Sequence, residues 1–544
     1  MKLYKILIVV LFAVFISSCE KDVFTQLPVE RTDLSDIFNP KDREGILIDE
    51  YLAGIYAQLP NGFNRIGNNL LDAGTDDALS GDISVTAVDK FKTGQWGPSD
   101  LPENPWVTSY MAIRRVNILL ANIGTSGIPD VKKDALRFQA RALRIIFYFE
   151  LVKRWGGVPL IGDKVFVLND NLQLPRNTRA ECVDYILAEC EFLKDKLPAT
   201  LTAGEVGRLS KGVVLALKSR LLLYEASPLY NPSNDVVKWQ AAAKAADDLI
   251  KLNSYSLEAN FGTMFTTRSN KEFILAYQQA DNTSIESLNE PPGYKRAGQG
   301  ITDPTQNLVD AFPMLNGKAI GEAGSGYNAA DPYKDRDPRF YLTIFHNGFS
   351  WLGSPVETFV GGKNNTRIGI GMGTKTGYYM RKFMITSGSA TGFSSATHNF
   401  PIFRYAEILL NYAEAQNEVL AAPDASVYKV INDLRKRGGS TGVFAQGSLD
   451  KAQMRAIIRN ERRIELAFEE HRFWDIRRWK IAENVLNGSL KGMKIIQNAD
   501  KTFTYDPNVV VQTVTFDAAK MYLYPVPYLE IQKNSALVQN PGWN

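Results

Sequence analysis

The chain has 544 residues, 45% hydrophobic and 22% charged, proportions that suit a chain folding around a large core. Its 62 Lys and Arg against 59 Asp and Glu leave a formal charge of +3, which excludes a global field able to gather nucleic acid or anionic lipid. With three cysteines in all, stability must come from the core rather than from a disulfide framework.

At the amino end, Lys2 and Lys5 flank the start of an uninterrupted apolar run, Ile6 to Ile16. The run is shorter than the roughly 20 residues that span a bilayer, and it has the size of a signal-peptide core of about 7–15 residues. Ser17, Ser18 and Cys19 follow. Ile16-Ser17-Ser18-Cys19 resembles the lipobox of bacterial lipoproteins, which implies a signal peptide over 1–18 and acylation of Cys19; a plain secretory peptide is the alternative. Two or three acyl chains, at about 0.8 kcal/mol per buried methylene, anchor firmly where one does not. No second long apolar run follows, so nothing else is expected to cross a membrane.

Residues 20–43 read as an extended tether, and Glu44 to Tyr56 as the first helix. A loop rich in Gly, Asp and Asn then runs from Asn61 to Asn104 and carries Asp76, Asp77 and Trp96. Helices are expected over Trp106–Asn122 and Asp130–Trp155, the second with Leu136, Leu143, Phe147 and Leu151 on one stripe. Gly156-Gly157 stops it, and Pro159 forbids continuation. Thr178 and Glu181 stand at capping-box spacing and open a helix to Leu197; Ser210–Tyr224 and Val236–Leu252 follow. Cys182 and Cys190 lie on one helix about 12 Å apart by rise, too far to pair. Helix pairs joined by short loops predict a mostly α fold with a tetratricopeptide-like scaffold, although no clean 34-residue period is present.

From Ser254 to Asn399 the character changes to dense Gly, Asn, Thr and Ser with interleaved aromatics, among them Tyr277, Tyr294, Tyr327, Tyr333, Phe349, Trp351, Tyr378 and Tyr379. An aperiodic stretch of this length inside a compact domain is commonly functional. Helices resume at Ile402–Leu420, Asp424–Lys436 and Leu449–Val485. The scaffold thus covers about 44–252 and 402–485, with the loop-rich block at 254–399 as an inserted face of one domain spanning 19–544.

Catalytic markers are thin in the sequence: it contains no HExxH and no CxxC. Gly369 to Gly377 suggests a phosphate loop but lacks the Gly-Lys-Ser/Thr ending, and reads as a flexible loop. Asp76-Asp77 is the best adjacent carboxylate pair; hydrogen bonding to a ligand or to backbone suits it equally. No enzyme is expected. The charge-dense stretch Met454–Lys480 predicts one long helix with pairs Arg462–Glu465, Glu469–Arg472 and Asp475–Arg478. Its charges are expected to knit neighbouring helices together; binding of nucleic acid is the weaker reading.

That stretch, Glu461-Arg-Arg-x-Glu-Leu-x-Phe-Glu-x-His-Arg-Phe-Trp-Asp-x-Arg-Arg-Trp479, resembles the signature of the SusD/RagB family of Bacteroidetes outer-membrane lipoproteins. Arg141 to Leu160, Gly207-Arg-Leu-Ser-Lys-Gly212, Arg404 to Ala415, Asn432 to Arg437, Tyr524-Pro-Val-Pro527 and Gln539 to Trp543 resemble further family segments in the expected order. The resemblance implies a helical scaffold with an irregular ligand-binding region, a glycan or (in the RagB branch) a peptide ligand, and no catalysis. It also implies a SusC-like TonB-dependent barrel as partner, and a lipid-anchored place on the outer membrane facing outward. A structural cap with little affinity of its own is a further alternative.

The quoted motifs are scaffold motifs, so candidate ligand contacts rest on chemistry. Sugar rings call for flat aromatic faces and planar polar groups. Trp96, Tyr294, Trp351 and Tyr378 supply the first, and Asp76, Asp77 and Arg381 the second. For each aromatic, a ring that merely anchors its own loop competes with ligand stacking. No cofactor is expected; Thr75-Asp76-Asp77 permits calcium but lacks EF-hand spacing.

Overall fold

A computed structural model describes residues 33–82, 84–365, 373–385 and 391–543. Cys19 and its lipobox lie outside the described residues, as do Gly369 to Met372 of the glycine-rich loop.

Eleven helices make the scaffold: α1 (Leu34–Ile37), α2 (Ile46–Tyr56), α3 (Trp106–Asn122), α4 (Asp130–Trp155), α5 (Arg179–Leu193), α6 (Lys211–Ala226), α7 (Val236–Lys251), α8 (Tyr405–Val419), α9 (Ala425–Arg437), α10 (Lys451–Glu465) and α11 (His471–Arg478). α1 lies within the stretch expected to be plain tether. Asp33 caps it, its carboxylate accepting the N–H groups of Ser35 and Asp36. Thr178 and Glu181 form the capping box their spacing predicts. α4 ends where Gly156 takes φ of +74°, and a Cβ on Gly157 would stand 2.0 Å from the carbonyl oxygen of Asn177.

Successive helices pack as neighbours: α3 on α4, α4 on α5, α5 on α6, α6 on α7. α7 then packs on α8, which lies beyond the whole loop-rich block in sequence. This is the helix-pair scaffold that the sequence predicts. Its faces are apolar where they meet, with Leu143, Phe147 and Leu151 of α4 each no more than 2% exposed. Cys182 and Cys190 are both free and buried, and burial pushes both thiols up from their usual range.

Among the described residues ten strands pair two by two. They are β1 (Ala78–Ser80), β2 (Phe273–Tyr277), β3 (Thr302–Pro304), β4 (Ile344–Phe345), β5 (Ser350–Trp351), β6 (Ser354–Pro355), β7 (Tyr379–Met380), β8 (Phe400–Arg404), β9 (Gly488–Gln497) and β10 (Phe503–Val514). β2 and β8 pair antiparallel at the two ends of the block and close it at its base. β1 pairs with β3 and draws the Asp76-Asp77 loop onto the block. β4 with β7 and β5 with β6 organise its interior.

The β9–β10 hairpin was not foreseen from sequence. Along β10, Phe503, Tyr505, Val509 and Val511 are half-buried while Thr504, Asp506, Asn508 and Val510 face water, the period of a strand with one packed side. Pro507 sits at the register shift between Asp506 and Val509, where no ladder donor is needed.

The helix expected over Leu449–Val485 is broken. α10 ends at Glu465 and α11 starts at His471; between them Phe468 and Glu470 each take φ of +64°. The break has a partner: the buried Asp72 carboxylate accepts the N–H groups of Phe468 at 3.0 Å and Glu470 at 3.2 Å. Of the three ion pairs expected along this stretch, only Asp475–Arg478 forms, at 2.8 Å. The break gives the other charges different partners, some across the break and some on distant elements. Arg462 reaches Asp475 at 2.7 Å, Glu469 meets Lys382 and Arg404, and Arg472 meets Asp76.

Candidate functional site

The adjacent carboxylates Asp76 and Asp77 are 4% and 1% exposed. Arg472 grips Asp76 with two parallel hydrogen bonds, Nε to Oδ1 at 2.9 Å and Nη2 to Oδ2 at 2.8 Å, and Arg463 Nη2 adds a third at 2.9 Å. Arg463 Nε donates to Asp77 Oδ1 at 2.7 Å. Burial works to raise the Asp76 carboxyl, but Arg472 and Arg463 override it and hold the group below its ordinary range. These two residues bolt a loop to α10 and α11 through both Asp76 oxygens and Asp77 Oδ1, while Asp77 Oδ2 is buried without a hydrogen-bond partner.

Asp72, one 3-10 turn earlier, is the opposite case. Burial, and after it the Asp77 and Glu470 carboxylates, push its carboxyl up to about 8, against the two backbone N–H groups that lower it. A carboxyl that binds its proton more tightly folded than unfolded gives stability that is complete below about pH 4 and fades as pH rises toward 8. Asp72→Asn removes that titration. Denaturant midpoints taken at pH 5 and pH 8.5 should fall less in the variant than in the wild-type protein. An identical fall in both would clear Asp72 of the effect.

Trp96 is 6% exposed and packed at 4.6 Å against Trp543 and at 5.3 Å against Phe91 and Tyr524. This is an aromatic knot that fastens the carboxyl end, with no ring face left for a ligand. Tyr378 is fully buried, its hydroxyl donating to Gln306 Oε1 at 2.7 Å. Both rings do in this structure what the competing reading described: they anchor their own loops.

The remaining three candidates come together. Trp351 ends β5, and its indole Nε1 donates to Glu290 Oε2 at 3.1 Å. Tyr294 is half-buried, and its hydroxyl donates to the carbonyl of Ser354 on the same hairpin. The Arg381 guanidinium lies 5.8 Å from the Trp351 ring and 5.0 Å from that of Phe349. Its Nη1 donates to the carbonyl of Tyr341 at 2.7 Å. Phe349 is a half-buried ring that the sequence reading did not single out for the site, since nothing in its spacing sets it beside Arg381. The result is a patch of rings on the loop-rich block with two cations, Arg381 beside Phe349 and Trp351 and Lys363 over Tyr294 at 5.1 Å.

Sequence reasoning also missed a groove at the scaffold edge. Two adjoining cavities of about 340 and 250 Å³ share Val206, Gly207, Ala276 and Gln278. Tyr255 and Arg268 line one and Tyr56, Arg208 and Tyr277 the other. The loop 199–208 and β2 meet only in the fold, so no local signal announces them.

The histidines are distributed for packing. His346 stacks at 4.3 Å on Tyr333, and burial pulls it down to about 4, so it is neutral. His398 meets Glu286 at 2.9 Å in the interior, and His471 is held well below its usual range by burial and by Arg462. Among the described residues no cluster of three or more His, Cys, Asp or Glu is placed to hold a metal ion.

With this geometry in hand, the chain can be set beside known proteins. Residues 271–543 match the model of the SusD family, and residues 35–223 match a model described as "Starch-binding associating with outer membrane". The chain belongs to the SusD family. A SusD-like protein of Bacteroides fragilis superposes with a TM-score of 0.78 at 30% identity, covering 94% of this chain and 98% of that one. A second Bacteroides fragilis structure, described as a SusD-like carbohydrate binding protein, gives 0.76 at 25% identity over 90% of this chain and 98% of that one. SusD-like protein P2 of Formosa agariphila is 28% identical over 460 residues, 80% of each chain. In this SusD-family chain, the signature stretch Glu461–Trp479 forms a buried ionic seam between α10, α11 and the Asp72–Asp77 loop.

Proposed function

We propose that this chain is a cell-surface glycan-binding lipoprotein that captures oligosaccharides and passes them to a SusC-like TonB-dependent barrel, held to the outer membrane by lipid on Cys19. Membership of the SusD family over both halves of the chain carries the reading. It is supported by the relative whose description reads carbohydrate binding and by the half-buried rings of Tyr294 and Phe349, set beside the buried Trp351 and the Arg381 guanidinium. Half-buried rings offer an apolar face to the C–H groups of a sugar with little ordering cost. Capture rests on shape, stacking and hydrogen bonds, with no covalent step.

Titration calorimetry against plant, fungal and host oligosaccharides should give heat with at least one class. Silence across the whole panel, alongside binding of oligopeptides, would replace the sugar reading with a peptide one. The anchor is tested separately. Cys19→Ser should move the protein from the membrane to the soluble fraction and abolish palmitate labelling; a variant that stays labelled and membrane-bound refutes lipid attachment at this cysteine. Co-purification of a TonB-dependent barrel from detergent-solubilised membranes tests the partner, and its absence from material purified through either protein counts against delivery.

A further inference from the structure

A charge withdrawn from water is costly unless it is paired, and this protein pairs its buried charges densely. Arg339, Arg404, Arg462, Arg472 and Arg478 each meet a carboxylate at 3.0 Å or less. Arg381 departs from that pattern. It forms no ion pair among the described residues, its side chain makes one hydrogen bond, to the Tyr341 carbonyl, and its Nε is buried without an acceptor. The internal segments that are not described, 366–372 and 386–390, contain no Asp or Glu that could serve it.

Eight other arginines form no ion pair among the described residues: Arg43, Arg114, Arg115 and Arg176 give their Nη groups to main-chain carbonyls, Arg208 and Arg459 lie over the Tyr56 and Trp479 rings, and Arg336 and Arg477 are buried. Arg336 gives its Nη groups to the carbonyls of Pro332, Val309 and Phe312. Arg477 is 2% exposed, with its guanidinium 3.5 Å from the Phe473 ring centroid in the interior, where no ligand reaches. Arg381 is half-buried on the ring-lined patch, with Phe349 and Trp351 flanking the guanidinium and restricting it. Nearby charges are already committed. Glu290, which holds Trp351, is bound by Arg296, Lys382 points to Glu469, and Lys363, over the Tyr294 ring, gives its ammonium to the Ser354 hydroxyl. Burial draws the Arg381 guanidinium down to about 10, so it remains cationic at neutral pH.

We infer that Arg381 is the subsite for a carboxylate on the bound saccharide, so that this site prefers acidic, uronic-acid-type oligosaccharides over neutral ones. A guanidinium offers two parallel N–H groups that match a carboxylate, and the half-buried Phe349 ring beside it accepts the sugar's C–H face. The inference names the ligand class of the site proposed above and rests on that reading.

The test uses the full-length mature protein and three probes, oligogalacturonate, oligoalginate and hyaluronan fragments, each beside its carboxyl-reduced counterpart. At least one acidic probe should bind tighter than its neutral counterpart by roughly 10–100-fold, the range for a charge-assisted hydrogen bond in place of none. That ratio should weaken with salt, fall towards one in Arg381→Gln and be partly kept in Arg381→Lys. Circular dichroism melting of each variant separates loss of the subsite from loss of the fold. Neutral counterparts binding as well as acidic probes, or a folded Arg381→Gln that keeps the preference, would overturn the inference and leave the sugar reading standing. No heat with any saccharide, acidic or neutral, overturns both; binding of oligopeptides by their carboxylates instead overturns the saccharide class.

Discussion

Replacing Arg404 with methionine should lower stability by about 3–5 kcal/mol, the cost of removing one partner from a buried ion pair. Arg404 is 1% exposed and uses all of its donating nitrogens. Nη1 bridges Glu272 and Glu465 at 2.7 Å each, Nε reaches Glu469 Oε2 at 2.6 Å, and Nη2 meets Glu469 Oε1 at 2.9 Å and the Glu465 carbonyl at 2.8 Å. Methionine fills similar space but leaves three buried carboxylates short of charge. The network softens the loss, because Arg339 and Arg437 still serve Glu465 and Lys382 still serves Glu469. Those shared partners make the effect non-additive, so Arg404→Met combined with Glu465→Gln should cost less than the sum of the two. Denaturant unfolding checks both statements. A shift within about 0.5 kcal/mol, the range of ordinary surface substitutions, would show that the seam carries no stability.

Asp76→Ala ranks next, at about 3–5 kcal/mol by the same physics. It strips the bidentate partner from Arg472 and one of two partners from Arg463, leaving two guanidinium groups in a seam that excludes water. Asp77 can take up part of the charge, since Arg463 already contacts it and Arg472 Nε lies 3.9 Å from it. Asp76→Asn keeps the shape and should cost less. The decisive comparison is between stability and affinity. If Asp76 acts through the fold, the variant unfolds at lower denaturant while its folded fraction binds saccharide with unchanged affinity. A stable variant with weakened binding would return Asp76 to the list of ligand contacts.

These two residues show how much of the protein was legible before folding. Arg404 and Glu465 stood inside motifs that carried the family resemblance, and the dense charge of Glu461–Trp479 foretold a seam between elements. Which charges meet was not legible. Local spacing predicted Arg462–Glu465 and Glu469–Arg472, but the break after Glu465, held by Asp72, rotates the second segment and sends its charges to other elements. The same holds for the candidate site. Residue type pointed to rings and planar polar groups, and among them Tyr294, Trp351 and Arg381 do converge. Asp76, Asp77, Trp96 and Tyr378 have the right chemistry, but burial commits them to protein partners, and burial is a property of the whole fold.

The sequence by itself determined what depends on near neighbours. Helical periodicity, the Thr178–Glu181 box and the Gly156 stop placed α3 to α9 within a few residues, because turns and caps are set over three or four positions. Ordered motifs added the family. Only the tertiary structure decided what depends on distant segments. It pairs β2 with β8 to close the inserted block, folds Asp72 under the signature to break a helix, and leaves Arg381 among rings without a counter-charge among the described residues. Such partners are brought within hydrogen-bonding reach by packing across more than a hundred residues, and no local spacing encodes which of many similar charges will be left over.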